Sequence, residues 1–151
     1  MLVTGGADTT INNQASGVIN GTVTLGAADD TLTNDGEWNT EGVNDFGAGL
    51  DLLTNAASGT INVGAATSFV GLETLDNAGT LNADLGLTFD GGDTVVTNTG
   101  DFNVGGTLDF GAGTDDFDNQ ASGVYTLTSD TTVLGLETMT NDGTIDLDTF
   151  T

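Results

Sequence analysis

The chain has 151 residues, among them 23 Asp and Glu and no Lys, Arg, His, Cys or Pro. Phosphate binding relies chiefly on Lys and Arg, so nucleic acids and anionic membrane surfaces are poor partners for it. With no Cys it has neither disulfides nor thiolate metal sites, and its carboxylates must be met by solvent, mobile counter-ions or bound cations.

High net charge is a signature of disorder, but the apolar residues here, 36% of the chain, recur at regular spacing. In chain order they define seven similar units. The first holds Leu2 and Val3, then Ile11 with Asn13, then Ile19. The second holds Val23 and Leu25, then Leu32 with Asn34, then Trp38. The third holds Phe46, Leu53 with Asn55, and Ile61; the fourth holds Phe69, Leu75 with Asn77, and Leu81. The fifth holds Leu87 and Phe89, Val96 with Asn98, and Phe102. The sixth holds Leu108 and Phe110, Phe117 with Asn119, and Tyr125. The seventh holds Val133 and Leu134, Met139 with Asn141, and Ile145. The Asn residues are 21, 21, 22, 21, 21 and 22 positions apart. A longer echo is superimposed: DFGAGLDLLTNAASG and GLETLDNAGT return three units on as DFGAGTDDFDNQASG and GLETMTNDGT.

Within segments such as TLTN, apolar and polar residues alternate with the period of a half-buried strand. A period near 21 is short for helical repeats, and the Gly and β-branched content disfavours helix. The expected fold is therefore all-β, a parallel β-solenoid of seven coils forming one array over residues 1–151. Each coil carries three short strands, and coils stack about 4.8 Å apart, giving a rod on the order of 34 Å long. Trp38 and Tyr125 fall in the inner apolar column and read as core. Asn13, Asn34, Asn55, Asn77, Asn98, Asn119 and Asn141 should point inward at a turn, either as a hydrogen-bonded ladder or for turn geometry alone.

An acid lies four or five residues before each of these Asn: Asp8, Asp29 with Asp30, Asp51, Glu73, Asp93, Asp115 with Asp116, and Glu137. Like charges about 4.8 Å apart repel by about 0.9 kcal/mol in water, and more where solvent is restricted. Cations between them would relieve this, and calcium suits a set of oxygen ligands with flexible geometry. The candidate calcium column is Asp29, Asp30, Asp51, Glu73, Asp93, Asp115, Asp116 and Glu137; the alternative is a solvated acidic edge that keeps the rod soluble. Gly111, Gly113, Asp115 and Phe117 match the calcium-binding nonapeptide of RTX proteins, with Ala112 in place of a Gly, and Gly47 to Leu53 matches likewise. The segment resembles that motif, although RTX repeats recur every nine residues and GLETL and GLETM lack the Gly pair.

Catalysis is not expected. Ser16, Ser58 and Ser122 lie in the longer turns with no His, Lys or Cys to activate or assist them, and no carboxylate pair is singled out for glycoside cleavage. A flat T-x-T array of the ice-binding kind is broken: Thr31/Thr33 and Thr138/Thr140 fit, whereas Leu52/Thr54, Thr74/Asp76 and Asp116/Asp118 do not. The N-terminal MLVTGGADTT has neither a basic region nor a long apolar stretch and does not read as a secretory leader; no run approaches a membrane span. Export would then use another signal, or Met1 is not the native start.

LGAADDTLTNDG (Leu25 to Gly36) and GLETLDNAGTLN (Gly71 to Asn82) resemble passenger repeats of autotransporter-type adhesins and related bacterial repetitive surface proteins. The resemblance implies secretion to the cell surface, a β-solenoid stalk, and a role in adhesion, biofilm or matrix. The leading expectation is an extracellular structural fibre or stalk. Its partner would be a second copy of itself, head to tail, because the stretch from Asn141 round to Asn13 of another copy nearly matches the internal period. The alternatives are an adhesin segment that binds glycans or another surface, and a calcium-, ice- or glycan-binding module.

Overall fold

A computed structural model of the chain describes residues 2–3, 5–128 and 130–147. The expected solenoid is present. Three seven-stranded sheets, all parallel, run the length of the array, and each coil contributes one strand to each. The first face comprises Leu2–Val3, Val23–Thr24, Val43–Asp45, Ser68–Val70, Leu87–Asp90, Thr107–Asp109 and Thr132–Leu134. The second comprises Thr10–Asn13, Thr31–Asn34, Leu52–Asn55, Thr74–Asn77, Val95–Asn98, Asp116–Asn119 and Thr138–Asn141. The third comprises Val18–Asn20, Glu37–Thr40, Thr60–Val63, Thr80–Ala83, Asp101–Val104, Val124–Leu127 and Thr144–Leu147.

The second face is the most regular. Its strands pair in constant register, so that Ile11, Leu32, Leu53, Leu75, Val96, Phe117 and Met139 form one inward column. Ile19, Trp38, Ile61, Leu81, Phe102, Tyr125 and Ile145 form the equivalent column on the third face. Two-residue alternation produces this directly: with one face buried, any slip of one residue would turn the whole apolar set outward. Insertions are taken up in the turns: the turn after the ladder Asn is two residues longer in NQASG and NAASG than in NDG, and between the third and first faces Val43 pairs with Ser68 but Ser68 pairs with Thr88.

The interior is aromatic in its middle. Phe69 is fully buried and packs against Trp38 (ring centroids 5.8 Å), Phe46 (6.0 Å) and Phe89 (6.0 Å), and Phe89 continues to Phe110 at 5.2 Å. Phe102, Phe117 and Tyr125 form a second cluster at 4.9–6.0 Å. Burying each such side chain contributes roughly 1.5–3 kcal/mol. The first-face column is less regular than the other two, although Phe46 is buried as its place in the apolar stretch predicts. Asn44, not Phe46, holds the inward position of its first-face strand; Asn44 is fully buried, while Phe46 fills the core from the following turn. Asn44 is tolerated because its amide oxygen accepts from Val23 N–H at 3.1 Å and Thr40 Oγ1 at 3.0 Å.

The corner between the second and third faces is tight. A Cβ on Gly79 would lie 2.2 Å from the carbonyl oxygen of Gly59 in the coil before. Only glycine allows backbone to stack on backbone there.

Candidate functional site

Two amide ladders and one carboxylate wall account for most of the polar side chains held in place between coils. The inner ladder is built by Asn13, Asn34, Asn55, Asn77, Asn98, Asn119 and Asn141 at the corner after the second face. Each Nδ2 from Asn13 to Asn119 donates to Oδ1 of the Asn in the next coil, at 2.7–2.9 Å. Each also donates to a backbone carbonyl of that next coil, from Asn13 to Glu37 (3.0 Å) through Asn119 to Thr144 (3.0 Å). Each of these amides therefore staples two coils twice, and all the staples run in one direction.

A second ladder, which the sequence reading missed, stands on the outer side of the third face. Asn39 Nδ2 donates back to Asn20 Oδ1 (3.0 Å), Asn62 to Asn39 (2.8 Å), Asn82 to Asn62 (2.9 Å) and Asn103 to Asn82 (2.9 Å). Its direction is opposite to that of the inner ladder. The signal was present in the sequence as a recurring Gly-x-apolar-Asn, in GVIN, GEWN, GTIN, GTLN and GDFN. Beside it runs a shallow groove of about 510 Å³ lined by Asn20, Asn39, Thr40, Glu41 and Asn62.

The acidic residues separate into two columns according to their distance from the ladder Asn. Residues four positions before it turn inward. These are Asp30, Asp51, Glu73, Asp115 and Glu137, with Thr9 and Thr94 in the same column. Their carboxylates reach back to the preceding coil: Asp30 accepts from Thr9 N–H (2.6 Å) and Asp51 from Asp30 N–H (2.7 Å). Glu73 accepts from Asp51 N–H (2.8 Å), Asp115 from Thr94 N–H (2.7 Å) and Glu137 from Asp115 N–H (2.9 Å). Residues five positions before the ladder Asn turn outward and reach forward. Asp29 accepts from Leu50 N–H (2.8 Å) and Asp93 from Thr114 N–H (2.7 Å), both at exposed positions.

Asp116 lies apart from both columns, on the outer side of the second face between Val95 and Thr138. The eight candidate residues thus occupy three places rather than one. Among the described residues no group of three or more acidic side chains converges as a metal-binding cluster.

Burial is uneven along the inward column. Asp30, Asp51 and Asp115 are buried, Glu73 is half-buried, and Glu137 is exposed. Burial pushes the Asp51 carboxyl up to about 6, assisted by the charges of Glu73, Asp30 and Asp29 and opposed by its hydrogen bond from Asp30 N–H. Asp115 moves in the same direction, for burial first and then the charges of Glu137 and Asp93, against its bond from Thr94 N–H.

Two of the serines of the long turns bond the neighbouring coil. Ser58 Oγ donates to the Asp35 carbonyl at 3.0 Å and also to its carboxylate, and Ser122 Oγ donates to the Thr99 carbonyl at 2.9 Å. On the outer side of the second face, Thr10, Thr31, Leu52, Thr74, Val95, Asp116 and Thr138 share a column, so the Thr array is interrupted. No family model, curated protein or solved structure matches the chain. What stands, from the geometry, is a three-sided parallel β-solenoid.

Proposed function

We propose that the chain is a structural rod, a stalk or fibre segment of a bacterial cell-surface or biofilm-matrix protein, and that copies extend it head to tail. The observation that carries the reading is the continuity of the inner Asn ladder. It runs through all seven coils, and the amides from Asn13 to Asn119 all donate toward the following coil, so the ladder has one direction along the rod. A second copy in the same orientation continues the ladder, the sheets and the apolar columns together; a reversed copy opposes donor to donor. Heterologous contacts of this kind build open filaments rather than closed rings.

In this reading no residue is catalytic. Calcium serves the acidic edge as a mobile counter-ion rather than as a resident cofactor. An extracellular setting follows from the resemblance to repetitive surface proteins. Electron microscopy of the purified chain over a range of concentrations tests the reading. Stacking predicts rods that lengthen with concentration and shorten in Met139→Asp. Separate particles of one coil-stack length at every concentration would eliminate head-to-tail growth.

The outer Asn ladder favours a second reading, an adhesin segment whose third face contacts neutral glycans. Half-buried amides at the surface offer a donor and an acceptor to sugar hydroxyls, while the chain's charge repels anionic polymers. Glycan binding that is lost in Asn39→Ala/Asn62→Ala, with the fold intact, would support it.

A further inference from the structure

Among the described residues, four buried carboxylate oxygens have no hydrogen-bond partner: Asp116 Oδ1 and Asp118 Oδ1 on the second-face strand, and, in the inward column, Asp51 Oδ2 and Asp115 Oδ2. Asp51 and Asp115 are 1% and 0% exposed. They occupy equivalent positions of the three-coil echo, each closing a Phe-Gly-Ala-Gly-x-Asp turn.

Their surroundings are equivalent as well. Oδ1 of each accepts a backbone N–H from the coil before, Asp30 or Thr94, at 2.7 Å in both cases. The N–H of each donates to the glutamate of the coil beyond, Glu73 at 2.8 Å or Glu137 at 2.9 Å.

Comparison with Asp30 shows why Oδ2 is left alone. In that coil the amide four residues earlier, Gly26 N–H, donates to Asp30 Oδ2 at 3.0 Å. The amides at the same offset from Asp51 and Asp115 are those of Gly47 and Gly111. They are diverted to Asp45 Oδ1 and Asp109 Oδ1, each at 3.0 Å.

The titratable groups facing Asp51 are Glu73, Asp30 and Asp29; those facing Asp115 are Glu137 and Asp93. All are acidic, and the chain has no cationic side chain to neutralise them. A buried ionised carboxylate with an unsatisfied oxygen is costly, and neutralisation is the ordinary relief. Accepting a backbone N–H from the neighbouring coil does not itself require an acid, since Asn44 does so for Val23 with a neutral amide.

We infer that Asp51 and Asp115 are equivalent proton-binding sites that make the solenoid an acid-strengthened rod, firm in mildly acidic surroundings and loosened as the pH rises toward neutrality. One proton from solvent adds to the free Oδ2 of each residue, converting a carboxylate to a carboxylic acid; no other bond changes. The burial that raises Asp51 to about 6 sets the window. In the unfolded chain the group ionises near its ordinary 3.8. The folded state therefore holds the proton more tightly, and the contribution is complete below 3.8 and lost as pH rises through about 6.

Thermal melts from pH 8 to pH 4.5, in the presence of a chelator, test this on the full chain and two variants. Asp51→Asn/Asp115→Asn keeps the Oδ1 acceptors and mimics the neutral acid. Asp29→Asn/Asp93→Asn removes two charges from exposed positions. The expected result is a wild-type Tm gain of roughly 5 °C on acidification. Asp51→Asn/Asp115→Asn should start higher at pH 8 and lose most of that gain, and Asp29→Asn/Asp93→Asn should keep it.

Equal pH gains in all three proteins would assign the effect to diffuse repulsion and overturn the inference. So would calcium raising the wild-type Tm at pH 8 as much as acid does, with no effect on Asp51→Asn/Asp115→Asn, because the sites would then be metal sites. Infrared spectroscopy of the folded wild type is independent of whether the variants fold. Carboxylic-acid carbonyl absorption from buried carboxyls should be stronger at pH 5 than at pH 8; an unchanged spectrum overturns the inference. None of these readouts depends on head-to-tail growth.

Discussion

Asparagine at the corner after the second face holds each coil to the next, and it does so with both hydrogens of one amide. In the middle of the array, Asn77 receives a bond from Asn55 and gives bonds to Asn98 Oδ1 (2.8 Å) and the Asp101 carbonyl (3.0 Å). Removing it strands buried partners in both neighbouring coils, and each stranded group costs roughly 1–3 kcal/mol. Asn77→Ala is therefore expected to destabilise the chain by about 3 kcal/mol in chemical denaturation. Asn82→Ala, in the outer ladder where water can replace the lost bonds, should cost under about 1 kcal/mol. Equal costs would mean that the inner ladder is not a staple. The inner column was legible in the sequence because it recurs beside an apolar residue at constant spacing. The opposite sense of the two ladders was not, because donor direction depends on how each amide is turned. The division of the acids was likewise hidden: Asp29 and Asp30 are adjacent in sequence, yet one residue of offset sends one carboxylate outward and the other into the wall.

A single coil has three strands of two to four residues and cannot bury its own apolar face. Its stability comes from the coils on either side, as in other stacked repeats. Disruption at the centre should therefore cost more than disruption at an end. Phe69 touches Phe46 and Phe89, from the coils before and after its own, and Trp38 from one coil further back. Phe69→Ala should cost about 4 kcal/mol by urea unfolding, a large part of the roughly 5–15 kcal/mol typical of a domain. Val133→Ala, at a position already 40% exposed, should cost well under about 1 kcal/mol. Similar losses at the two sites would indicate that the apolar columns are not continuous. The strands of the second and third faces could be read from alternation and from their near-constant distance to Gly. The first face was harder to read because the turns leading into it vary in length, so Val43–Asp45 takes its register from Asn44 while the more conspicuous Phe46 lies beyond the strand.

At the scale of the whole molecule, a chain with net charge −23 and no compensating cation remains ordered. Most of its carboxylates stand on outer faces and turns, where water screens them, and those turned inward accept backbone N–H groups from the neighbouring coil. Composition alone favours a disordered polyanion; periodicity favours a rod. The two differ most plainly in size. Small-angle X-ray scattering of the monodisperse chain at neutral pH and moderate salt, with a chelator present, is the most direct test. The solenoid predicts a radius of gyration of about 15 Å, whereas an unfolded chain of this length would give roughly 40 Å. The smaller value, reached without calcium, would establish that the columns alone hold the rod together. The larger value would contradict the account at its base, because the ladders, the wall and the proposed stacking all depend on a fold that the charge had prevented.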